Sequence, residues 1–292
     1  MGNGSTVTQS VVLGWMTPTH SVPEGAVVSE PIPVVFIHGL WMHASSWTPW
    51  QDLFAERGYA PTAPRWPGEA ETVAATRADP APMNGVGIAD VTAHYAALID
   101  SLPAQPVVIG HSFGGLIAQK LLASGKARAC VALAPAQFKG ILGLPLAQLE
   151  SALPVLSRPW LRNKTWSHTH DSYAKNFANG VSRAESDEIY DRFAIPAPCR
   201  PLFQAGLANV TPKSEAAVDT KADRGPLLFI AGSVDRTVPA STVQAEYGIQ
   251  HAHNKGVTEI EVLDKRGHSF PADSSWRAAA EAALGFLGRN GH

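Results

Sequence analysis

The amino-acid sequence predicts an α/β fold in which a mostly parallel central sheet is flanked by helices. Short apolar runs, such as residues 34–37 and 106–109, are typical of parallel strands buried on both faces. Runs with apolar residues at helical spacing alternate with these strands along the chain. The third observation is a G-x-S-x-G motif at residues 110–114, which lies between an apolar run and a helical pattern.

The first clear strand, residues 34–37, runs into a glycine turn at His38-Gly39. Gly39 lets the backbone turn so that the N–H of Leu40 points toward the carboxyl end of the sheet. There the N–H of Phe113 would join it to form an oxyanion hole. An ordinary strand-to-loop turn is the alternative interpretation of the same residues.

The G-x-S-x-G motif predicts a sharp strand-to-helix turn with Ser112 at its apex, where the hydroxyl projects clear of the sheet. Gly110 and Gly114 provide steric clearance where strand and helix come together. A serine in this position is a candidate nucleophile. The alternative is that Ser112 only caps the amino terminus of a helix.

The other core elements are predicted from the same two patterns, short apolar runs for strands and apolar residues at helical spacing for helices. Helices are predicted at residues 45–57, 88–102, 116–122 and 276–287, and strands at residues 59–64, 129–134, 226–230 and 257–263. A turn is predicted over residues 65–69, a polar loop over residues 70–87, and an edge strand or tail around residues 11–13.

Residues 137–225 interrupt the alternation of strands and helices. They are rich in aromatic residues and prolines, and their apolar residues lie in helix-length pieces at 142–156 and 185–193. We predict a mainly helical cap here, inserted after the sixth strand, over a core made of residues 1–136 and 226–292. Most cap aromatics are expected to form the cap's own core. Trp160, with Trp41 and His111, is expected to face the substrate pocket.

Two further polar residues follow late strands. Asp235 lies in a turn after residues 226–230, and His268 lies in a loop after residues 257–263. A carboxylate just past a strand end is well placed to orient an imidazole, which in turn can take the proton of a serine hydroxyl. A helix cap or a surface turn is the alternative role for Asp235.

Composition narrows the possible partners. The chain of 292 residues is 45% hydrophobic and 16% charged, as expected for a globular protein with a sizeable core. A formal net charge of -2 gives no electrostatic reason to expect nucleic acid or an anionic membrane surface, so a small-molecule partner is expected. No secretory signal and no long apolar stretch are recognisable, which favours a soluble, cytoplasmic protein.

The cysteines and the paired histidines suggest neither a disulfide scaffold nor a metal site. Cys130 and Cys199 lie in unrelated contexts and are expected to be idle, buried thiols. The pairs at residues 168/170 and 251/253 have the spacing of strand metal ligands but lack a third ligand, so solvated loop histidines are expected. We therefore expect no metal and no cofactor.

The chain order Ser112, Asp235, His268, with His38-Gly39-Leu40 upstream, resembles the α/β-hydrolase fold superfamily. The similarity is to capped members that include carboxylesterases, lactonases, cofactor-free haloperoxidases and carbon-carbon bond hydrolases. It implies that Ser112 is the nucleophile, His268 the general base and then acid, and Asp235 the orienting carboxylate. Leu40 and Phe113 would be the oxyanion donors. One departure is Arg65, where many relatives have Asp.

The resemblance implies a serine hydrolase that cleaves a carboxylic ester of a partly apolar small molecule through an acyl-enzyme. The same three side chains would also serve a lactonase, a thioesterase or a carbon-carbon bond hydrolase. A ligand-binding receptor or a catalytically weak relative is the alternative from another class.

Overall fold

The computed structural model describes residues 1–2, 4, 30–143 and 145–292. Contacts divide the chain into two units, residues 1–30 and residues 31–292, and every element below belongs to the second unit. The edge strand or tail predicted around residues 11–13 lies outside the described residues.

The strands of the described residues form two sheets. They are β1 (Pro33–Ile37), β2 (Ala60–Thr62), β3 (Val107–His111), β4 (Ala129–Leu133), β5 (Thr165–Trp166), β6 (Ala197–Pro198), β7 (Leu227–Gly232) and β8 (Thr258–Leu263). The main sheet has the order β2-β1-β3-β4-β7-β8, and all of its neighbouring strands are parallel. β5 and β6 pair as a small antiparallel ribbon.

Helices cover the main sheet and fill the insertion. They are α1 (Thr48–Glu56), α2 (Val73–Ala78), α3 (Ile88–Asp100), α4 (Phe113–Ala123), α5 (Leu146–Leu156), α6 (His170–Asn176), α7 (Arg183–Phe193), α8 (Arg200–Gly206), α9 (Ala240–His253) and α10 (Trp276–Arg289). Short 3-10 turns occupy Ala44–Trp47, Ala81–Met83, Pro159–Leu161 and Ala208–Val210. Within the described ranges, no helix is long and apolar enough to cross a membrane.

The central strands of the main sheet are more deeply buried than its edge strands. Every residue of β1, β3, β4 and β7 is buried, as expected for parallel strands covered by helices on both faces. The edge strands β2 and β8 are partly exposed. Because all six strands run in the same direction, their carboxyl ends meet at one edge of the sheet. The predicted fold class, an α/β fold with a mostly parallel sheet flanked by helices, is confirmed.

The predicted polar loop over residues 70–87 contains helix α2 and a 3-10 turn. Thr72 caps α2 by accepting a hydrogen bond from the N–H of Ala75 at 3.1 Å, and Thr76 is buried against the turn. α2 has only six residues and no apolar stripe, so its sequence carries no helical periodicity. The Thr72 cap and the hydrogen bonds of Arg77 to the carbonyl oxygens of Ala194 and Tyr190 hold this helix instead.

The insertion between β4 and β7 contains helices α5 to α8 and the β5–β6 ribbon, so it is mainly helical. Four strands of the described residues precede it. That the insertion follows the sixth strand of the chain stays a prediction, as does the division of the chain into a core domain and a cap domain.

Candidate active site

Ser112 lies at the junction of β3 and α4 with φ 56° and ψ -123°. A positive φ is costly for a residue with a Cβ, and it persists only where surrounding contacts hold it. Here the Ser112 N–H donates to the carbonyl oxygen of Leu133 at 2.9 Å, and the Ser112 carbonyl accepts from the N–H of Gly115 at 2.9 Å. The strained turn is therefore anchored to β4 on one side and to α4 on the other.

Glycines leave room for this turn. A Cβ on Gly110 would collide with the carbonyl oxygen of Gly114, and a Cβ on Gly114 would collide with the carbonyl oxygen of Ile37. On the facing loop, a Cβ on Gly39 would lie 2.6 Å from the Cβ of Ser112. Close backbone approach, rather than unusual dihedral angles, accounts for glycine at all three positions.

Asp235 and His268 form a buried pair at the carboxyl ends of β7 and β8. Oδ2 of Asp235 lies 2.6 Å from Nδ1 of His268, and both side chains are fully buried. Oδ1 of the same carboxylate accepts hydrogen bonds from the N–H groups of Thr237 and Val238, each at 2.8 Å. A carboxylate at Nδ1 favours the tautomer with its proton on that nitrogen, which leaves Nε2 as the proton acceptor.

The His268 ring packs beside the elbow. Its centroid lies 4.5 Å from that of His111, the residue before Ser112, and 4.9 Å from that of Phe177. Nε2 of His268 is buried and has no hydrogen-bond partner among the described residues, Ser112 included. A bond between such a nitrogen and a serine hydroxyl often tightens only when substrate binds. The structure thus brings two predicted partners into contact and the third into their neighbourhood.

Two backbone N–H groups close to Ser112 in the chain or in space have no backbone acceptor among the described residues. Neither Leu40 nor Phe113 donates a backbone hydrogen bond to another described residue. For Phe113 the reason is its position as the first residue of α4, where no intrahelical acceptor exists. For Leu40 the reason is the turn after Gly39, which brings this loop against Ser112. That these two N–H groups form an oxyanion hole stays a prediction.

A buried carboxylate holds the Leu40 loop from behind. Glu69 Oε2 lies 2.8 Å from Nε2 of His38 and accepts from the N–H of Trp66 at 3.2 Å. Its Oε1 lies 3.3 Å from Nε2 of His43 and accepts from the N–H of Ala44 at 3.1 Å. Burial alone would raise the pKa of Glu69, but the two histidines and the Ala44 N–H lower it below its usual value. The carboxylate is therefore charged at neutral pH.

Sequence reasoning missed Glu69. It noted only that Arg65 replaces the Asp of many relatives, whereas the carboxylate of this turn lies four residues later. An acidic residue directly after a Pro-Gly turn, at the active end of a sheet, was the signal available.

A largely apolar cavity of about 70 Å³ adjoins Ser112. The core contributes Trp41, Phe113 and Val238 to its wall, and the cap contributes residues of α5 and α8. The lining residues from 137–225, the predicted cap, are Gln137, Gln148, Leu149, Ser151, Ala152, Leu156, Leu202, Ala205 and Gly206. Besides Ser112, the polar side chains in this lining are Gln137, Gln148, Ser151 and Thr237.

Of the three residues predicted to face the substrate pocket, one lines the cavity and two do not. Trp41 lines the cavity. Trp160 does not, because it follows Pro159 in a turn beyond the end of α5 and is 71% exposed. His111 does not line the cavity either, because its side chain lies buried under the elbow against His268. Burial and the neighbouring His268 hold the pKa of His111 well below its usual value, so this ring is neutral. The expectations for Trp160 and His111 are corrected accordingly.

His168 is not a solvated loop histidine, contrary to the prediction. Its ring lies 4.5 Å from that of Trp41 and 4.6 Å from that of Trp166, and its Nδ1 lies 3.0 Å from Oγ of Ser172. Burial, reinforced by His268, lowers its pKa to about 3. His168 therefore supports the Trp41 wall of the cavity as a neutral ring.

The other histidine pair also differs from the prediction, because His251 and His253 lie on the last turn of α9 rather than in a loop. No cluster of three or more potential metal ligands occurs in the described part of the chain. Cys130 and Cys199 are free and buried, as predicted.

Comparisons with known proteins agree with this architecture. An extracellular alpha/beta-hydrolase from a Paenibacillus species superposes with a TM-score of 0.65 at 19% identity, over 87% of this chain and 98% of that one. The enol-lactonase from Burkholderia xenovorans gives 0.63 at 16% identity, over 90% and 94%. A monoacylglycerol lipase from Paleococcus ferrophilus gives 0.59 at 18% identity, over 87% and 93%. At these identities the likeness shows the fold.

A search of curated proteins finds no sequence that matches this chain. The model of the alpha/beta hydrolase family matches residues 34–282, which covers the main sheet and the insertion. The chain therefore belongs to the alpha/beta hydrolase family.

Proposed function

We propose that this protein is a serine-dependent hydrolase of carboxylic esters that carry a substantial apolar part. The observation that carries the proposal is the buried Asp235–His268 pair, 2.6 Å apart, beside a serine held at positive φ. A serine hydroxyl is a weak nucleophile unless a base takes its proton and a third group orients that base. Strained backbone and a buried imidazole-carboxylate pair have a stability cost, which function explains.

The first half of the proposed reaction acylates the serine. Nε2 of His268 takes the proton of Ser112 Oγ while Oγ attacks the ester carbonyl carbon. The carbonyl oxygen becomes an oxyanion that accepts hydrogen bonds from the N–H groups of Leu40 and Phe113. The carbon-oxygen bond to the alcohol then breaks, and the alcohol leaves with the proton from Nε2.

The second half releases the acid. Water gives a proton to Nε2 of His268 and attacks the acyl carbonyl, which forms a second oxyanion at the same two donors. The bond to Ser112 Oγ breaks, and Oγ takes the proton back. Asp235 remains ionised throughout and stabilises the imidazolium.

A cyclic ester is a second candidate substrate, since its ring opens by the same steps. The enol-lactonase among the similar structures and the small apolar chamber favour it over thioesters and carbon-carbon substrates. Ligand binding without turnover is the candidate from another class. A panel of linear esters, lactones, thioesters and diketones separates these activities, and the absence of turnover on every member would favour the binding protein.

The direct test replaces Ser112 by Ala and measures hydrolysis of short acyl nitrophenyl esters. We expect kcat to fall on the order of 10⁴- to 10⁶-fold, because the residual rate comes only from binding and the oxyanion donors. Ser124→Ala, at the carboxyl end of the same helix, is the matched control and should leave the rate unchanged. Parental activity in Ser112→Ala would refute the proposal.

A further inference from the structure

The cap exposes an unusual number of large apolar side chains. We call them the cap's apolar face: Leu142, Leu146, Leu149, Leu153, Trp160, Leu207 and Val210. Four of the five leucines, residues 142, 146, 149 and 153, are spaced by four, three and four residues. This spacing puts the three on α5 on one side of that helix. Leu142, Leu146, Trp160 and Val210 are each at least 70% exposed. An amphipathic helix normally turns such a stripe toward the core, and α5 does not.

Two segments that are distant in sequence but contribute to this face, those carrying Leu142 and Val210, lie side by side. The side chain of Asn209 accepts from the N–H of Gly140 at 2.7 Å and donates to the carbonyl oxygen of Ile141 at 2.8 Å. These bonds hold the turn that carries Val210 against the segment that carries Leu142. Helix α5 also contacts α8 and the 3-10 turn that carries Trp160, so the members of the face lie on neighbouring elements.

The face continues into the candidate active site. Leu149 belongs to the exposed face and also lines the cavity beside Ser112. Behind it, Leu156 of α5 meets α8, where a Cβ on Gly206 would lie 3.7 Å from its Cδ1. An apolar molecule resting on the face would thus find apolar contacts all the way to the cavity.

Positive charge flanks the apolar face. Residues 139–165 contain the cations Lys139, Arg158, Arg162 and Lys164 and a single acid, Glu150. That acid is neutralised by Arg236, with Nη2 2.7 Å from Oε2. Arg158 and Arg162 are exposed and bracket Trp160. Among the described residues, no carboxylate pairs with either of these arginines or with Lys164.

We propose that the cap's apolar face docks on a lipid bilayer that carries anionic headgroups. Apolar side chains with a rim of Lys, Arg and an exposed Trp are the composition of surfaces that insert shallowly into such bilayers. The net charge of the whole chain, -2, gave no reason to expect a membrane, but the local charge of this segment is positive. A second copy of the chain is a poorer occupant, because a two-fold contact would bring the same arginines face to face.

The docked orientation identifies the substrate class, a conclusion that rests on the proposed function. The cavity would open toward the acyl chains, so the ester would partition from the bilayer into the site. The substrate would then be a membrane-soluble ester rather than a freely diffusing polar one.

The test is vesicle flotation of the full-length protein, with vesicles of phosphatidylcholine alone or with one third phosphatidylglycerol. We expect the parent to float with the anionic vesicles and much less with the neutral ones. Leu146→Ser with Leu153→Ser should weaken binding at least tenfold, and Arg158→Gln with Arg162→Gln should remove the preference for anionic lipid. Val257→Ser, an exposed apolar residue at the start of β8, is the control that should bind like the parent.

Hydrolysis of a soluble nitrophenyl ester by the same preparations keeps the two proposals apart. The four surface substitutions avoid the cavity, so this rate should not change. Flotation without hydrolysis would refute the proposed function and leave docking intact. Docking would be refuted if the parent did not float, if the leucine variant floated like the parent, or if gel filtration showed a dimer that the leucine substitutions disperse.

Discussion

The floor and the roof of the cavity are built in different ways. The floor consists of strand ends, where buried backbone contacts hold Ser112. Asp235 and His268, 2.6 Å apart, lie at neighbouring strand ends outside the lining of the cavity, and we count them with the floor. The roof consists of the short helices α5 and α8, and α5 leaves much of its apolar surface in solvent. If the proposed function holds, the parallel sheet supplies the geometry of the chemistry, and the insertion with α5 and α8 would select the molecules that reach it.

After Ser112→Ala, the largest effect is expected when Asp235 loses its charge. Asp235→Asn keeps the shape of the side chain but disfavours the imidazole tautomer with its proton on Nδ1, so kcat should fall about 10⁴-fold. Asp264→Asn, an exposed aspartate of the loop after β8, is the control with an expected parental rate. Steady-state kinetics on a nitrophenyl ester measures both. A loss smaller than tenfold in Asp235→Asn would assign the orienting carboxylate to another residue.

The next largest effect is expected from Glu69, whose carboxylate holds the loop that carries Leu40. Glu69→Ala removes the acceptor for the buried N–H groups of Ala44 and Trp66, each of which costs about 1–3 kcal/mol when unpaired. We expect the free energy of unfolding to fall by roughly 2–6 kcal/mol. Because the Leu40 loop is released, kcat should fall more than KM rises. Urea unfolding and kinetics on one preparation check this, and parental stability would show that Glu69 does not hold the loop.

The sequence predicts a site residue well when its position follows from the pattern of its own segment, and poorly when its role comes from contacts with distant segments. Ser112, Asp235 and His268 each follow an apolar strand pattern, and the parallel sheet brings such strand ends together, so the pattern alone suggested all three. Glu69 and His168 acquire their roles from side chains distant in sequence, which no local periodicity reports. Trp160 was misplaced for the same reason, since aromatic content does not tell which side of a cap faces the cavity.

A further buried acid, Glu246 of α9, predicts that stability depends on pH. Burial raises the pKa of Glu246 well above its usual value, although a hydrogen bond from Gln119 acts in the opposite direction. Oε1 of Glu246 and Oε1 of Gln250, one helical turn apart, have no partners among the described residues. A proton on Glu246 would let the carboxyl donate to Gln250.

Because the pKa of Glu246 is higher in the folded than in the unfolded chain, stability is greatest below the unfolded value and falls as pH rises above it. Glu246→Gln cannot ionise, so its stability relative to the parent should increase with pH, by up to about 1.4 kcal/mol per pH unit. Urea unfolding at pH 4.5, 6 and 7.5 measures the difference. Glu261→Gln, on the exposed face of β8, should show no such trend. A constant difference for Glu246→Gln would mean that the buried carboxyl does not titrate differently on folding.

The smallest effect is expected in the roof. Leu156→Ala enlarges the cavity between α5 and α8 without touching the strand ends, so kcat for a short acyl ester should change less than tenfold. Preference should shift toward longer acyl groups, by about 1–3 kcal/mol for each methylene that gains or loses a contact. A series of nitrophenyl esters of increasing acyl length measures the shift. An equal loss of kcat on every ester would instead mean that Leu156 affects the reacting groups and not the choice of acyl chain.

The central claim is that Ser112 is a nucleophile activated by His268. Labelling with a fluorophosphonate, followed by mass spectrometry of the digested protein, tests it most directly. The account predicts a single phosphonyl adduct on Ser112 that forms rapidly in the parent and is lost in His268→Ala. Failure of the parent to react, or an adduct on any other residue, would contradict it.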